Sequence, residues 1–267
     1  MCACFAYSRS AYYKSLKACL KARFKSEQVL DLVMAIRRDQ PMIGGKKLYW
    51  LLREGLAKSV AGMGRDKFFE ILRKRGLLVK RTKKYVRTTD SYHRFYKYKN
   101  ELRDRVLTGP NQAFVSDITY LRTEQGFLYL FLQMDAWSRK ITGWHLSNSL
   151  AIEGAVAALK MSLKQCAVTK GVIHHSDRGI QYCCGTYVSL LQKAGMEISM
   201  TEQNHCYENA CAERVNGILK QEFLLDRTFD NQQEALRAVR EAICTYNYRR
   251  PHWSLKLAFP AQIHQAA

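Results

Sequence analysis

The stretch HSDRGIQY at residues 175–182 decides how this 267-residue chain is interpreted, together with YENACAER at residues 207–214. The first stretch contains Asp177 and the second contains Glu213, and 35 residues separate these two carboxylates. A third carboxylate, Asp117, lies upstream in the string AFVSDITYL. Three acidic residues in this order and at these separations are typical of a site that holds divalent cations. The sequence therefore predicts that these three residues are both catalytic residues and metal ligands.

Carboxylates suit a reaction at a phosphodiester bond. In-line displacement requires neutralisation of charge at the attacking and leaving oxygens, and two divalent cations about 3.5–4 Å apart can do both. Magnesium is a hard cation that prefers oxygen ligands, and Asp and Glu supply side-chain oxygens, whereas His and Cys supply nitrogen and sulfur. A single Asp is most often a solvated surface group. Three matching strings in order favour a shared metal site instead.

These strings resemble those of bacterial insertion-sequence transposases with a retroviral-integrase-like core, most closely the large family numbered three among insertion sequences. The resemblance implies donor cleavage by water and strand transfer by a DNA 3′-hydroxyl, without a covalent protein–DNA intermediate. It implies two Mg²⁺ ions, for which Mn²⁺ can substitute, with Asp117 and Asp177 bridging or flanking the ions and Glu213 completing one coordination sphere. It also implies double-stranded DNA partners, namely transposon ends and target, and a homo-oligomer on DNA.

The resemblance is strong from Asn111 to Pro260 and loose before that range. Phe114 stands where Trp is common, Glu208 where many members have Asp, and Arg214 where many have Ser. None of these departures replaces a presumed metal ligand. In many such elements an upstream reading frame supplies a helix-turn-helix and coiled coil as a fusion. This chain has no heptad seam of that kind, so we expect the downstream-frame product, acting with an upstream-frame protein or as a fusion.

The positions of the carboxylates along the chain support one site. Residues 112–121 alternate between two faces, which predicts a strand that carries Asp117 among apolar residues. The apolar run 171–175 predicts a short buried strand. Asp177 then lies just past the carboxyl end of that strand, where open α/β sheets gather ligands.

Glu213 falls in a predicted helix from about Glu208 to Leu224. An apolar stripe that would dock on the sheet consists of Ala212, Val215, Leu219 and Phe223. The polar residues that share the face of Glu213 are Asn209, Asn216 and Lys220. We expect this face to meet DNA with a carboxylate, two amides and a lysine. Alternatives stay open for two residues near Asp177: His175 packs structurally or belongs to the site, and Arg178 contacts phosphate, orients a carboxylate or does neither.

The charge of the chain also predicts a DNA partner. Lys and Arg number 43 against 23 Asp and Glu, which gives a net charge of +20 and a pI of about 9.7. Such a balance is the footprint of polyanion binding. Residues 1–110 hold 27 basic and 9 acidic residues, whereas 111–267 hold 16 and 14. The binding charge is therefore concentrated in the amino-terminal part, although a basic but merely solvated surface is the alternative.

Three helices are predicted in the amino-terminal part, over Ser26–Arg38, Lys46–Glu54 and Arg65–Arg75. Gly55 and Gly76 are the expected stops of the second and third helices. Short helices with a basic last member favour a small all-α, helix-turn-helix-like DNA-binding domain over residues 1–80. A helical pair that only bridges subunits is the alternative. The candidate DNA contacts on the third helix are Lys67 and Lys74.

Residues 81–110 mix basic and aromatic side chains, which predicts a linker. Such a mixture can track phosphates while rings pack on sugars or bases. Equally, the segment can be a helix whose aromatics pack against the core. The candidate phosphate contacts at its start are Lys80, Arg81, Lys83 and Lys84. The turn at Gly109–Asn111 then marks the start of a catalytic domain over 111–267.

The order of elements in that domain predicts the α/β class. The fold expected is a ribonuclease-H-like mixed five-stranded sheet with flanking helices: three antiparallel strands, then two more reached through helices. The predicted elements are strands at 112–121, 127–134 and 141–146, a helix from Ser149 to about Cys166, the strand 171–175, a helix to about Lys193, a strand near Ile198, the Glu213 helix and a last long helix capped by Asn231. The string YNYRRPH at 246–252 resembles a family string, and its Arg249 and Arg250 either bind DNA or solvate a turn.

Some classes of protein are disfavoured by the same sequence. The nine cysteines are odd in number and lack a pair of CxxC units, so we expect reduced thiols rather than disulfides or a zinc finger. No signal peptide or membrane span is evident, since the longest strongly apolar run, 127–132, is far too short. We expect a cytoplasmic, nucleoid-associated protein without a membrane partner.

Two alternative functions stay open beside DNA cleavage and strand transfer at insertion-sequence ends. A ribonuclease-H-type nuclease would use the same fold and metals but would not join strands, and the extra basic amino-terminal part argues against it. A non-catalytic DNA-binding regulator of transposition would need only the basic part, and the intact carboxylates argue against that. We therefore expect a two-metal polynucleotidyl transferase of the DDE type, which means a site of two Asp and one Glu.

Overall fold

The computed structural model describes residues 8–80, 94–202 and 209–266 of the chain. The chain divides near residue 82 into two compact units, and each has its own buried core. Among the described helices, none is both long and apolar enough to span a membrane. None of the six cysteines in the described ranges forms a disulfide.

The amino-terminal unit is built from helices α1 (Arg9–Asp39), α2 (Gly45–Ser59) and α3 (Arg65–Lys74). Each helix buries one apolar face, because apolar residues recur three and four positions apart. The side chains of Val33, Leu48, Leu72 and their neighbours form one core with no solvent exposure. The prediction of three helices is confirmed.

Two helix boundaries predicted in this unit are wrong. Helix α1 begins at Arg9 rather than Ser26, because the Ser8 hydroxyl accepts a hydrogen bond from the Ala11 amide at 3.1 Å and caps it there. Helix α2 continues through Gly55, because burial of Leu56 outweighs the roughly 1 kcal/mol cost of a helical glycine. The chain turns instead at Gly62, whose φ is +77°.

The second unit contains a mixed sheet with the strand order β3-β2-β1-β4-β5. Its first three strands form an antiparallel meander, and β4 and β5 run parallel to β1. A short sixth strand, β6, pairs with the far end of β1 and was not expected. The predicted α/β class and mixed sheet are confirmed. The strands are β1 (Ala113–Thr123), β2 (Gly126–Asp135), β3 (Ile141–Ser147), β4 (Ile173–Ser176), β5 (Glu197–Met200) and β6 (Thr228–Phe229).

Helices cover both faces of this sheet. Apolar residues of α7 and α8 pack on the face that carries Val115 and Leu121, whereas α4 to α6 pack on the face that carries Phe114. The side chain of Asn231 caps α8 as predicted, accepting from the Glu234 amide at 3.0 Å. The helices are α4 (Ile152–Leu163), α5 (Ile180–Cys183), α6 (Gly185–Lys193), α7 (Ala210–Glu222), α8 (Gln232–Tyr248) and α9 (Pro260–Gln265).

The central strand β1 has a gap in its pairing on one side. There β4 pairs with residues 113–115 and β6 pairs with 122–123. Between them, residues 116–121 of β1 face no strand on this side within the described part of the chain. Because β4 ends at Ser176, the gap lies just beyond the carboxyl end of β4, and this part of the sheet edge is here called the cleft.

Two glycine-to-alanine substitutions test this packing in opposite directions. A methyl group at Gly143 on β3 would overlap the backbone oxygen of Ala158 and the hydroxyl of Ser162, whereas one at Gly217 on α7 would meet no atom within 4 Å. We expect Gly143→Ala to lower the free energy of unfolding by about 2 kcal/mol. Gly217→Ala should raise it by about 0.5–1 kcal/mol, since alanine is the better helix former. Urea unfolding followed by circular dichroism measures both, and equal stability of the two variants would contradict the close contact between β3 and α4.

Candidate active site

Asp117 lies on β1 inside the gap in strand pairing. Its carboxylate accepts two hydrogen bonds, one at Oδ1 from the Ile118 amide at 2.9 Å and one at Oδ2 from the Asn216 side chain at 2.8 Å. The side chain is half-buried. Two hydrogen-bond donors of the protein thus hold the Asp117 carboxylate in place within a strand of alternating apolar positions.

Asp177 follows the last residue of β4 and begins the turn into α5. Its Oδ1 accepts a hydrogen bond from the Gly179 amide at 3.0 Å. A Cβ atom at Gly179 would itself lie 3.0 Å from that oxygen, a close contact that a small movement of the Asp177 side chain would have to relieve. Since Val115 pairs with His175 in parallel register, Asp117 and Asp177 come level with each other on neighbouring chain segments.

Glu213 lies in the first turn of α7 and is exposed. The helix docks on the sheet through the predicted stripe, which includes the buried Val215 and Leu219. Two amides of α7 also bind β1: Asn216 donates to Asp117, and the Asn209 side chain donates to the Ser116 carbonyl at 3.2 Å. The helix therefore presents Glu213 toward the strand that carries Asp117.

The burial of the two amides corrects one prediction. Asn209 and Asn216 are only 2% and 6% exposed, and both donate hydrogen bonds to β1. They share the side of α7 that faces the site, as the helical spacing predicted, but they hold the helix against the strand instead of lying at a DNA surface. No sequence signal distinguished DNA binding from packing, because an amide three or four residues from Glu213 suits either role.

The charges of the three carboxyl groups act on one another. Burial, and next the negative charge of Asp177, raise the pKa of Asp117 to about 7. Burial and the same neighbour raise the pKa of Glu213. Within the described residues, no three His, Cys, Asp or Glu side chains are already arranged around an ion position. The structure brings the three carboxyl groups within electrostatic range of one another.

The donor set fits hard divalent cations. The raised pKa values of Asp117 and Glu213 beside Asp177 indicate excess negative charge, which a cation would relieve. All three supply oxygen, the ligand that Mg²⁺ prefers.

A buried polar network supports the ends of β1 and β4. The Ser116 hydroxyl and the Tyr187 hydroxyl each lie 2.9 Å from Nε2 of His174. Burial, followed by the neighbouring His175, lowers the pKa of His174 to about 3, so the ring stays neutral. His175 is fully buried, and its Nδ1 lies 2.8 Å from the Ser199 hydroxyl. Of the two interpretations of His175, the structure supports structural packing.

The candidate DNA contacts fall in different places. Arg178 is half-buried next to Asp177, and Lys220 is half-buried on α7, where the charge of Asp117 acts on it. In the amino-terminal unit the exposed candidates are Lys67, Lys74 and Lys80, of which Lys74 pairs with Glu70 at 2.7 Å. Three candidates lie outside the described residues: Arg81, Lys83 and Lys84. Arg178 and Lys220 are thus candidate cations that lie beside carboxylates within the second unit.

Arg250 corrects a second prediction. It is 2% exposed and forms a bidentate ion pair with Glu222, the last residue of α7, at 2.7 and 2.8 Å. Its third nitrogen donates to Nε2 of His252 at 2.7 Å. This arginine neither lies at a DNA surface nor solvates a turn, because its guanidinium joins the end of the Glu213 helix to the segment after α8. Its neighbour Arg249 is exposed.

Known proteins similar to this chain are insertion-sequence proteins and integrases. Two family models, both described as "Integrase core domain", match residues 108–206 and 194–260. The chain is 33% identical to the "Insertion element IS600 uncharacterized 31 kDa protein" of Shigella sonnei over 100% of both chains. It is 31% identical to "Transposase InsF for insertion sequence IS3A" of Escherichia coli strain K12, over 95% of this chain and 89% of that protein.

A solved structure shares the fold. It is the cryo-EM structure of the simian T-cell lymphotropic virus intasome in complex with PP2A regulatory subunit B56 gamma. The TM-score is 0.52 at 16% identity, and the match covers 84% of this chain and 75% of that chain. The ribonuclease-H-like arrangement predicted for the sheet is therefore the one found in integrases.

The pKa of Asp117 predicts a pH dependence of stability in metal-free protein. The pKa in the folded state, about 7, lies above the ordinary value of 3.8, so the folded state binds this proton more tightly than the unfolded state. The stability that this tighter proton binding gives the folded state is present below about pH 4 and is lost as the pH rises to about 7. We expect wild-type protein to lose on the order of 2–4 kcal/mol over this range relative to Asp117→Asn. Unfolding at several pH values with a chelator measures the difference, and parallel curves for the two proteins would refute the shifted pKa.

The ion pair of Arg250 gives a second prediction. Arg250→Met leaves Glu222 without its partner and should lower the free energy of unfolding by about 3–5 kcal/mol. The double variant Arg250→Met, Glu222→Met should recover most of this loss, because neither charge then remains. The matched control Arg249→Met, at an exposed position, should change stability by less than about 0.5 kcal/mol. A loss of DNA affinity without a loss of stability in Arg250→Met would instead restore the DNA-binding interpretation.

Proposed function

Because this chain belongs to the insertion-sequence transposases that carry an integrase core domain, we propose that Asp117, Asp177 and Glu213 perform its DNA strand cleavage and strand transfer at insertion-sequence ends. The chain is a transposase, a polynucleotidyl transferase of the DDE type that acts in DNA transposition. The observation that carries the assignment is geometric: Asn216 of the helix that bears Glu213 donates to Asp117, and the parallel register of β1 and β4 brings Asp177 level with Asp117.

The proposed cofactor is a pair of Mg²⁺ ions held by the three carboxylates, with Mn²⁺ able to substitute. Two such ions would neutralise the charge that develops on the attacking and leaving oxygens of the phosphodiester. The excess negative charge of the site supports this assignment, because Asp117 and Glu213 both hold protons more tightly than isolated carboxyl groups do. Bound cations would reverse that shift and keep both groups ionised.

The residues around the carboxylates orient them for this work. Asn216 and the Ile118 amide fix both oxygens of Asp117, so the remaining lone pairs of that carboxylate point in defined directions. The Gly179 amide does the same for one oxygen of Asp177. A catalytic group held by hydrogen bonds does not need to reorganise during the reaction. Water and a DNA 3′-hydroxyl are the proposed nucleophiles for cleavage and strand transfer.

Two cations beside the carboxylates are proposed to hold the scissile strand. Arg178 follows Asp177 directly, and its planar guanidinium can bind a phosphate through two nitrogens. Lys220 lies within the field of Asp117, and burial lowers its pKa while the carboxylate raises it. Both side chains are half-buried, which suits contacts at a cleft rather than on an open surface.

Most of the DNA affinity is proposed to come from the basic amino-terminal part. The proposed domains are a helix-turn-helix-like domain over 1–80, a basic linker over 81–110 and the catalytic domain over 111–267. Phosphate contacts supply the bulk of affinity in such proteins. The side chains proposed for these contacts are Lys67, Lys74, Lys80, Arg81, Lys83, Lys84 and, in the catalytic domain, Arg249.

The proposed partners follow from the reaction. DNA is the substrate, and action as an oligomer is the rule for this family. We propose that copies of this chain pair the two transposon ends with a target duplex, alone or with an upstream-frame protein. The proposed location is the nucleoid of the cytoplasm.

The assignment of the three carboxylates predicts a separation of binding from chemistry. Asp117→Asn, Asp177→Asn and Glu213→Gln should each reduce strand cleavage and joining by at least about a thousandfold, because each removes one ligand charge from the metals. DNA retention in a gel should stay within about twofold, since the phosphate contacts lie elsewhere. Glu241→Gln, an exposed helical glutamate of the same unit, is the matched control and should retain full activity. Full joining by any one of the three variants would remove that residue from the proposed site.

A further inference from the structure

Three aromatic side chains on the β1–β2 hairpin have no part in the site described so far. Tyr120 and Tyr129 are directly opposite each other in the strand register, with ring centroids 5.1 Å apart. The ring of Phe127 lies 6.4 Å from that of Tyr120 and nearly perpendicular to it, at 86°. Phe127 is 54% exposed and both tyrosines are half-buried. The three residues, here called the hairpin cluster, form an aromatic surface in which Phe127 is exposed and Tyr129 also packs against the core.

The hairpin cluster lies beside the carboxylate site. Tyr120 is three residues beyond Asp117 on β1, which is about 10 Å along the strand. It falls within residues 116–121, where β1 has no strand partner on the cleft side in the described ranges. The charge of Asp177 acts on its hydroxyl, after burial and Tyr129, to raise the pKa of Tyr120. Strand alternation turns the cluster to the sheet face opposite Asp117, so it borders the cleft without taking a ligand position.

A cation accompanies the hairpin cluster. Arg122 follows Tyr120 by two residues, so its side chain leaves β1 on the same face. It is exposed and makes no ion pair in the described part of the chain. Arg122 is directly opposite Phe127 in the strand register, so its side chain lies on the same side of the hairpin as the three rings. Aromatic rings thus lie next to a positive charge on this face of the hairpin.

We propose that the hairpin cluster is a stacking platform for one unpaired nucleobase of the DNA strand held at the carboxylate site, with Arg122 on the adjoining phosphate. This rests on the proposed function. Cross-strand aromatic pairs also stabilise hairpins, which accounts for Tyr120 and Tyr129. Hairpin stabilisation does not require Phe127 to stay exposed opposite Arg122, which forms no ion pair with a described residue. Rings combined with cations are how proteins bind single-stranded nucleic acid without reading its sequence.

The choice of an unpaired base over paired DNA follows from the geometry of stacking. In a duplex, both faces of an internal base are already covered by its neighbours, so a protein ring can stack only on a base that has left the helix or ends it. Cleavage of a strand at a transposon end creates such a terminal nucleotide next to the scissile phosphate. A platform bordering the carboxylates would hold that nucleotide in place while its 3′-hydroxyl is used for strand transfer.

Binding of two defined DNA probes tests the proposal. One probe is a blunt duplex, and the other is the same duplex with a single unpaired thymidine at one 3′ end. Both are measured by fluorescence anisotropy at one salt concentration with the full chain carrying Asp117→Asn, so that no strand is cut. We expect the overhang probe to bind about tenfold more tightly than the blunt probe.

Variants of the hairpin cluster should remove this preference selectively. Tyr120→Leu and Phe127→Leu keep an apolar side chain on the hairpin but lose the ring, so the overhang probe should bind about tenfold more weakly and the blunt probe should be unaffected. Tyr120→Phe keeps the ring and should keep the preference. The matched control is Tyr248→Leu, another tyrosine of the same unit that is 52% exposed and outside the cluster. Thermal melting confirms that each variant is folded.

A probe with an abasic residue distinguishes base stacking on Tyr120 from a purely structural role of Tyr120 in the β1–β2 hairpin. Replacing the overhanging thymidine by an abasic residue should weaken binding by about tenfold in the parent protein and have no effect in Tyr120→Leu, since the two changes remove the same contact. Equal loss for blunt and overhang probes in Tyr120→Leu, or additive effects of the variant and the abasic residue, would overturn the proposal. These measurements need no catalysis, so a failure of strand joining would count against the proposed function and leave the platform standing.

Discussion

The hydrogen bond from Asn216 to Asp117, at 2.8 Å, is the contact on which the geometry of the site depends. It joins the helix that carries Glu213 to the strand that carries Asp117, and these elements are far apart in sequence. Helix α7 is attached at its other end as well, where Glu222 pairs with the buried Arg250. A helix held at both ends behaves as a rigid body, so Glu213 can remain exposed and still keep a fixed relation to the strand.

The same arrangement explains why the site costs stability. Asp117 is partly removed from water beside two other carboxyl groups, and its pKa rises to about 7. A sequence selected only for stability would place an apolar or amide side chain there, as the alternation of β1 suggests. The neutral network of Ser116, His174 and Tyr187 below the site adds no charge that could offset this repulsion. Keeping Asp117 ionised at neutral pH would therefore need compensating charge from the proposed metal ions or from Arg178 and Lys220.

Much of the fold, and the approach of Asp117, Asp177 and Glu213 to one another, could be predicted from the sequence, because strand alternation, helical spacing and the matching strings are local signals. The predictions that were wrong concerned the role of a buried side chain and the boundaries of two helices. The role of Arg250 depends on Glu222, a residue 28 positions away, and no local pattern reports such a pair. The start of α1 at Ser8 depended on a single cap that competed with an apolar pattern beginning later. The passage of α2 through Gly55 depended on burial of Leu56, which propensity alone underestimates.

The buried ion pair of Arg250 also bears on how DNA affinity and catalysis are divided between the amino-terminal and carboxyl-terminal parts of the chain. The carboxyl-terminal 157 residues are almost neutral, and Arg250 shows that some of their cations serve packing. This part of the chain has little excess positive charge, so Arg178, Lys220 and Arg122 would act by position and not by number. The excess positive charge lies in residues 1–110. Since non-specific affinity scales with the number of neutralised phosphates, we expect affinity to come mainly from the amino-terminal part and placement of the scissile strand from the catalytic domain.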